Sequence, residues 1–510
     1  VNEQQRNDRQ SRIDEQYRPE PEIRQVEREC EALYPKGRSR IALTGASGYI
    51  GHNLLQRLTE HADVIALSRS GDQRKNTEHV EWCSCDFFSM EDANQGLHGA
   101  DYAVYLIHSM LPSAKLTQGT FEDMDVILAE HFARAARNNG VKQIVYLSGI
   151  LPEHTSEDEL SRHLRSRLEV ERVLKSFGVP VTTIRAGLIV GPQGSSFPIL
   201  VKLVRRLPVM ILPRWTRTKT HPIALEDILN ALDRSIGNRT LDEQIVDVGG
   251  PEVMTYREMM QRTAEIMDKK RRFFNVPLLT IKLSRLWVTL VTGAPKEMAY
   301  PLIESLAHPM VAQRKHKVQG ISDGKISFDK AARISLEQEE EYRHKKNSHS
   351  KSKKPLKSAI RSLKSDVRSV QRIKLPPGKD ATWAGERYLA WLPVFAKPWV
   401  RVETGGADTY QLYLLGSRKP LLEMTYDRVQ STSEFALYRI TGGTFATVRE
   451  DHHGRLEFLQ IPGTNICVVA IHDYVSSLPW FIYKYTQAKV HLGVMYEFGK
   501  YVKRLIDTNV

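Results

Sequence analysis

At 510 residues, with 41% apolar and 26% charged side chains, the chain has an ordinary globular composition and enough length for more than one core. No run of about 18 uncharged apolar residues occurs, which excludes a conventional spanning helix; the nearest stretch, Val276 to Gly293, is interrupted by Lys282 and Arg285 and reads as a packed helix. The net charge of +13 would suit a nucleic-acid groove if it were spread over a surface, but twelve Lys and Arg against Glu341 and Asp366 fall between residues 341 and 374, leaving +3 for the rest.

Residues 1–37 are polar, rich in Glu, Arg and Gln, and read as a disordered leader; the opening Val leaves room for a missing preceding segment. From Arg40 onward short apolar runs alternate with helical patterns: IALTG, HNLLQRLTE, DVIALS, ADYAVYLIHS, FEDMDVILAEHFARAARNNG, KQIVYLSG and VTTIRAGLIVG. Buried strands alternating with helices predict an α/β fold, a doubly wound parallel sheet covered on both faces, over 38–335. Residues 336–378 read as a basic, low-complexity linker, too charged to pack around HKKNSHSKSKKPLK. Residues 379–510 read as a C-terminal α+β domain, with strand-like runs followed by a long helical pattern from Leu478 to Leu505. Trp480, Tyr483, Tyr485 and Tyr496 in that pattern are expected to pack on the preceding sheet.

The first chemistry-bearing motif follows the first predicted strand. Gly45, Gly48 and Gly51 stand in G-x-x-G-x-x-G spacing between strand and helix. Gly45 can take the turn, Gly48 lets a pyrophosphate approach the backbone, and Gly51 lets the helix pack close to the sheet. The helix N-terminus then offers free N–H groups to the phosphates, with Ser47, Tyr49 and Ile50 in the same contact loop. A tight turn alone would also use glycines, but the strand–turn–helix setting at the head of an alternating α/β run is that of a dinucleotide site. At the end of the second strand stand Ser68 and Arg69, where an acidic residue would be expected to bind the ribose hydroxyls of NAD. A hydroxyl and a guanidinium suit a 2′-phosphate, which favours NADP over NAD. Asp86 and Phe87, after the third strand, are placed beside the adenine.

Four cysteines, Cys30, Cys83, Cys85 and Cys467, are too few for a disulfide framework, and the C-x-C of Cys83 and Cys85 lacks a second pair to complete a zinc site. No metal ligand set is expected, and the setting is read as reducing and cytoplasmic, with membrane association through the basic segment left open.

With TGASGYIG, SRS and TIRAGLIVGP, the block from about residue 38 to 315 resembles the short-chain dehydrogenase/reductase superfamily, in its atypical branch of uncharacterised bacterial NAD(P)-binding proteins. It is similar, more distantly, to the nucleotide-binding accessory subunit of respiratory complex I. YLIHSM, HLRSR, RLPVMILPRWTRTKTHPIALEDIL and DVGGPEVMTYREMMQ carry the same texture. The resemblance implies a Rossmann fold with a small substrate-side lobe, and a Tyr and a Lys, four residues apart on one helix, with a hydroxyl at the preceding strand end. Here the matching positions hold His163, Arg167 and Ser148, which makes these the candidate catalytic groups and places ordinary carbonyl reduction in doubt. His can carry a proton near neutral pH, whereas Arg can only bind or orient. The expected activity is that of an NADP-dependent oxidoreductase or isomerase, like the epimerase/dehydratase relatives, on a small or lipophilic substrate; the alternative is a non-catalytic dinucleotide sensor or assembly protein. Arg214, Trp215, Arg217 and His221 are weaker substrate-side candidates, read at even odds as a basic surface loop. The C-terminal unit resembles START-like helix-grip domains, which hold apolar ligands. The basic segment is a candidate contact for an anionic surface, and no specific nucleic-acid partner is expected.

Overall fold

The computed structural model describes residues 38–109, 116–194, 196–276, 280–348, 367–406, 408–446, 454–474 and 487–508. The leader 1–37 and the basic stretch 349–366 lie outside them.

Seven strands form a wholly parallel sheet: β1 Arg40–Thr44, β2 Asp63–Ser68, β3 Val80–Ser84, β4 Tyr102–Tyr105, β6 Gln143–Gly149, β7 Val181–Ala186 and β8 Ile245–Val248, where β5 is the separate strand Leu116–Gln118. Their order is β8-β7-β6-β4-β1-β2-β3. All six neighbouring pairs run parallel. The chain reverses direction across the sheet between β1 and β4, so the carboxyl ends of these strands open a crevice there.

Helices α1 Tyr49–Leu58, α2 Met90–Gly96, α3 Phe121–Asn138 and α4 Arg162–Lys175 belong to this half. Side chains fix where they begin. Thr120 and Asp123 form a capping box at the start of α3, and Ser161 accepts from the Leu164 N–H at the start of α4. Helices α5 Phe197–Arg206, α6 Leu225–Ser235, α7 Tyr256–Ile266, α8 Ile281–Thr292, α9 Lys296–Ser305 and α10 Phe328–Ser348 follow. Helix α8 is the expected packed helix, but the face it buries is Ser284, Val288, Thr289 and Thr292, while Leu283, Leu286 and Leu290 are exposed. No helix among the described residues is long and apolar enough to cross a membrane.

The second half is an antiparallel sheet: β9 Val367–Lys374, β10 Val400–Thr404, β11 Thr409–Leu414, β12 Leu422–Tyr426, β13 Phe435–Gly442, β14 Gly454–Gln460 and β15 Ile466–Tyr474. The order is β10-β11-β12-β13-β14-β15-β9-β5, with β5 added parallel to β9 at the edge. Helices α11 Ala381–Phe395 and α12 Gln487–Thr508 complete it. Tyr388, Trp391, Phe498 and Val502 from these helices share a core with Ile373, Ile440 and Phe458 of the sheet. This is the arrangement expected of an α+β unit whose sheet grips a closing helix. Its first strand, however, precedes Lys379, and α10 runs on to Ser348, so ordered elements occupy both ends of the segment read as linker. The alternation in VRSVQRIK was masked by its basic residues, one of which is neutralised inside the protein: Arg372 pairs with Asp123 and Glu169 at 2.7 and 2.8 Å.

The other face of this sheet covers α3. Every residue of α3 from Glu122 to Ala136 is buried, as expected for a helix with protein on both sides. Phe132 and Ala129 of α3 join Tyr105 and Tyr146 of the parallel sheet and Leu437, Leu459 and Val468 of the antiparallel one in one continuous core. In the last helix Tyr496 is 64% exposed rather than packed, whereas Trp480, Tyr483 and Tyr485 lie outside the described residues.

Candidate functional site

The loop between β1 and α1 has the geometry a phosphate cradle needs. Gly45 adopts φ +63°, the left-handed conformation that glycine takes without strain. The Gly48 N–H closes the turn on the Gly45 carbonyl at 2.8 Å. A Cβ on Gly51 would lie 2.2 Å from that same carbonyl oxygen, so α1 can approach the strand only with glycine there. Gly48 caps α1 without any side-chain hydrogen bond, and the first turn carries no acidic residue. The N–H groups of the first turn therefore remain for an anion. Ser47 and Gly48 are exposed, whereas Tyr49 and Ile50 turn their side chains inward, Tyr49 against Gly191 and Ile50 onto the core.

At the end of β2, the Ser68 hydroxyl donates to Ser47 Oγ at 3.1 Å, tying the second strand to the glycine loop, and Arg69 is exposed beside them. No carboxylate of β2 competes for this corner. Asp86 is half-buried, its carboxylate accepting from the Phe88 N–H at 3.3 Å. Phe87 turns its ring into the core against Phe132, at 5.6 Å between centroids, so its side chain does not border the cradle.

The reaction-centre candidates lie at the carboxyl ends of β4 and β6 and on the first turns of α4. His163 and Arg167 are half-buried, which places them inside the fold rather than on a solvated helix edge. The His163 Nδ1 is buried without a hydrogen-bond partner among the described residues. Burial first, then His108 and Arg167, lower its pKa well below the ordinary imidazole value. The Arg167 guanidinium sits 5.9 Å from the Tyr146 ring centre, and the Tyr146 hydroxyl donates to the Arg167 carbonyl at 3.2 Å. Burial raises the Tyr146 phenol pKa against the opposing effects of Arg167 and a hydrogen bond with Ser148, so the three groups form one connected cluster.

Sequence reasoning missed the pair that completes this cluster. His108, just after β4, faces Asp125 of α3 at 2.7 Å from its Nδ1. Asp125 also accepts from the Ser109 N–H at 2.6 Å and the Ser166 hydroxyl at 3.0 Å. The His108 and His163 rings lie 5.0 Å apart. Burial opposes ionisation of Asp125, but His108 and Arg167 together hold its pKa below the usual carboxylate range. His108 has a lowered pKa because burial outweighs Asp125, and its Nε2 is buried without a hydrogen-bond partner. The signal was present in YLIHSM: a histidine directly at a strand's carboxyl end, beside the topological switch point where open α/β sheets bind ligands.

The weaker candidates do not converge. Arg214 and Arg217 are exposed, Trp215 is buried against Tyr256, and His221 is buried, with its Nε2 against the Gly250 carbonyl at 2.8 Å.

Residues 45–201 match the model of a family described as NAD(P)H-binding. The auxiliary protein GraX of Staphylococcus aureus is 34% identical over 146 residues, 28% of this chain and 43% of that protein, so the likeness spans less than half of the relative. A UDP-glucose 4-epimerase of Vibrio cholerae is 21% identical over 266 residues, 48% of this chain and 80% of the epimerase. Among solved structures, an NADPH-dependent quinone oxidoreductase of Escherichia coli complexed with NADPH superposes on 58% of this chain and 99% of its own, at 17% identity and a TM-score of 0.46.

Proposed function

We propose that this chain, whose residues 45–201 are an NAD(P)H-binding domain, binds NADP(H) through Gly45, Gly48, Gly51, Ser68 and Arg69 and acts as an oxidoreductase or isomerase on a small or lipophilic substrate. The corner formed by Ser47, Ser68 and Arg69 supports the phosphorylated cofactor, since it offers hydroxyls and a guanidinium and no carboxylate. When bound, the cofactor supplies hydride chemistry at its nicotinamide.

The observation that carries the reading is the half-buried His108, paired with the buried Asp125 and set against His163. Asp125 fixes the His108 tautomer by accepting from Nδ1, which leaves Nε2 as a proton acceptor inside the site. His163 presents a second imidazole nitrogen with no partner of its own. A neutral imidazole can take the proton of a substrate hydroxyl as hydride leaves carbon, and return it in the opposite direction. Arg167 keeps its proton throughout, so it favours the neutral form of His163 and offers fixed positive charge to a developing alkoxide.

The test is a turnover screen of NADPH against quinones, enones and simple carbonyls. Wild-type protein should oxidise NADPH with some member of the panel, and His163→Ala should reduce kcat by about 100-fold or more, the usual range for a general acid–base. Undiminished turnover in that variant removes His163 from the role. The second reading, a dinucleotide sensor, draws on Arg167, which stands where a proton-relaying Lys would be; it is favoured by NADPH that binds and is never consumed.

A further inference from the structure

A second cluster of ionisable groups, separate from the cofactor site, lies where α3 meets the antiparallel sheet. It consists of His131 and Glu130 of α3, Glu457 of β14 and His472 of β15, each at most 1% exposed. The ligand atoms of His131, Glu457 and His472 lie within 4.8 Å of one another. His472 Nε2 is 2.8 Å and His131 Nε2 3.4 Å from the same oxygen, Glu457 Oε2. Arginines hold the outer oxygens of both carboxylates: Arg134 Nε donates to Glu130 Oε1 at 2.7 Å and Arg455 Nη1 to Glu457 Oε1 at 3.3 Å. The inner oxygens are thereby turned toward the histidines. Glu130 Oε2 is fully buried, 3.5 Å from His131 Nε2, and accepts no hydrogen bond among the described residues.

The tautomer of His131 makes this arrangement informative. Its Nδ1 lies 2.8 Å from the Phe87 carbonyl, an acceptor only, so Nδ1 carries the proton. A neutral ring then aims its Nε2 lone pair at two carboxylate oxygens, which is repulsive unless something positive lies between them. An imidazole whose Nδ1–H is anchored on a backbone carbonyl, leaving Nε2 to face inward, is the usual second-shell arrangement of a metal-ligating histidine. Ligand atoms bonded at 2.0–2.1 Å around a tetrahedral ion are about 3.3–3.4 Å apart, close to the 3.4 and 3.5 Å found from His131 to the two carboxylates, whereas the 2.8 Å contact of His472 with Glu457 must open on binding.

We propose that His131, His472 and Glu457 bind a divalent transition-metal ion, zinc by donor type, with Glu130 positioned to take the next coordination place. Imidazole nitrogens with carboxylate oxygen suit zinc better than calcium or magnesium, which prefer all-oxygen sets. The ion clamps the antiparallel sheet to α3. No motif announced it, because its ligands come from two domains more than 300 residues apart in sequence.

The test uses tag-free full-length protein, stripped with chelator and titrated with zinc and with cobalt. The expected result is about one equivalent of tightly bound zinc, visible cobalt absorption in the tetrahedral range, and a thermal midpoint that falls on stripping and recovers on reloading. His472→Gln should lose that equivalent and the cobalt bands, while His98→Gln, at an exposed histidine, should keep both. A stripped wild-type protein that takes up only traces of either metal would overturn the proposal. So would His472→Gln protein with unchanged stoichiometry and spectrum.

Discussion

His108 and His163 lie 5.0 Å apart, with burial depressing the pKa of both and Asp125 aligning only the first. Asp125 orients the His108 ring, while the Nδ1 of His163 is buried with no hydrogen-bond partner among the described residues. Burial also sets a pH dependence of stability. The folded values lie below the ordinary imidazole value of about 6.5, so the contribution of these neutral rings is complete above that value. It is lost as pH falls toward the folded values, because the unfolded chain takes up protons that the native site refuses. His163→Gln removes one such group. Thermal midpoints measured from pH 8 to pH 5 should show wild type losing more stability than the variant below about 6.5, and parallel curves would contradict the buried-neutral assignment. At this scale the sequence was informative about residue type and silent about partners. His163 and Arg167 are legible through the resemblance, as the residues at the positions of the family's Tyr and Lys. His108 and Asp125 come from a strand end and a separate helix, and only the fold brings them together.

At the scale of elements, the glycine loop is the most legible feature, because its requirements are local. Gly45 needs a positive φ, and Gly51 needs the absence of a Cβ within contact of the Gly45 carbonyl. Gly51→Ala gains about 1 kcal/mol of helix propensity but forces backbone atoms apart, at a cost of about 1–3 kcal/mol for overpacking. The clash should win. The variant is expected to melt below wild type and to bind NADPH at least 10-fold more weakly, as read by calorimetry; unchanged affinity would mean that the close approach of α1 to β1 does not shape the cradle. Other elements were hidden by what surrounds them. Strand β9 is rich in basic residues and reads as linker until Arg372 is seen in contact with Asp123 and Glu169. Phe87 was assigned to the cofactor by position along the chain, but its ring serves the core that α3 shares with both sheets. Helix α8 was legible as a packed helix, yet not for which side it packs, since it buries Ser and Thr and exposes leucines.

For the whole molecule, α3 is the element on which both halves depend. It presents Asp125 to the candidate reaction centre, Asp123 to Arg372 of the antiparallel sheet, and His131 to the buried histidine–carboxylate cluster. Two domains were legible from the shift between alternating and strand-rich texture. Their intimacy was not, because the shared core is built from residues that look, in sequence, like the private core of either one. The antiparallel domain thus braces the helix that carries Asp125, and the shared core ties the two halves together. The central claim remains the dinucleotide site, and one calorimetric experiment tests it: titration of the intact protein with NADPH and, separately, with NADH. Saturable binding of NADPH, at least 10-fold tighter than NADH in keeping with a guanidinium and hydroxyls at the 2′ corner, is the predicted result. No heat and no shift in melting temperature with either nucleotide would contradict it.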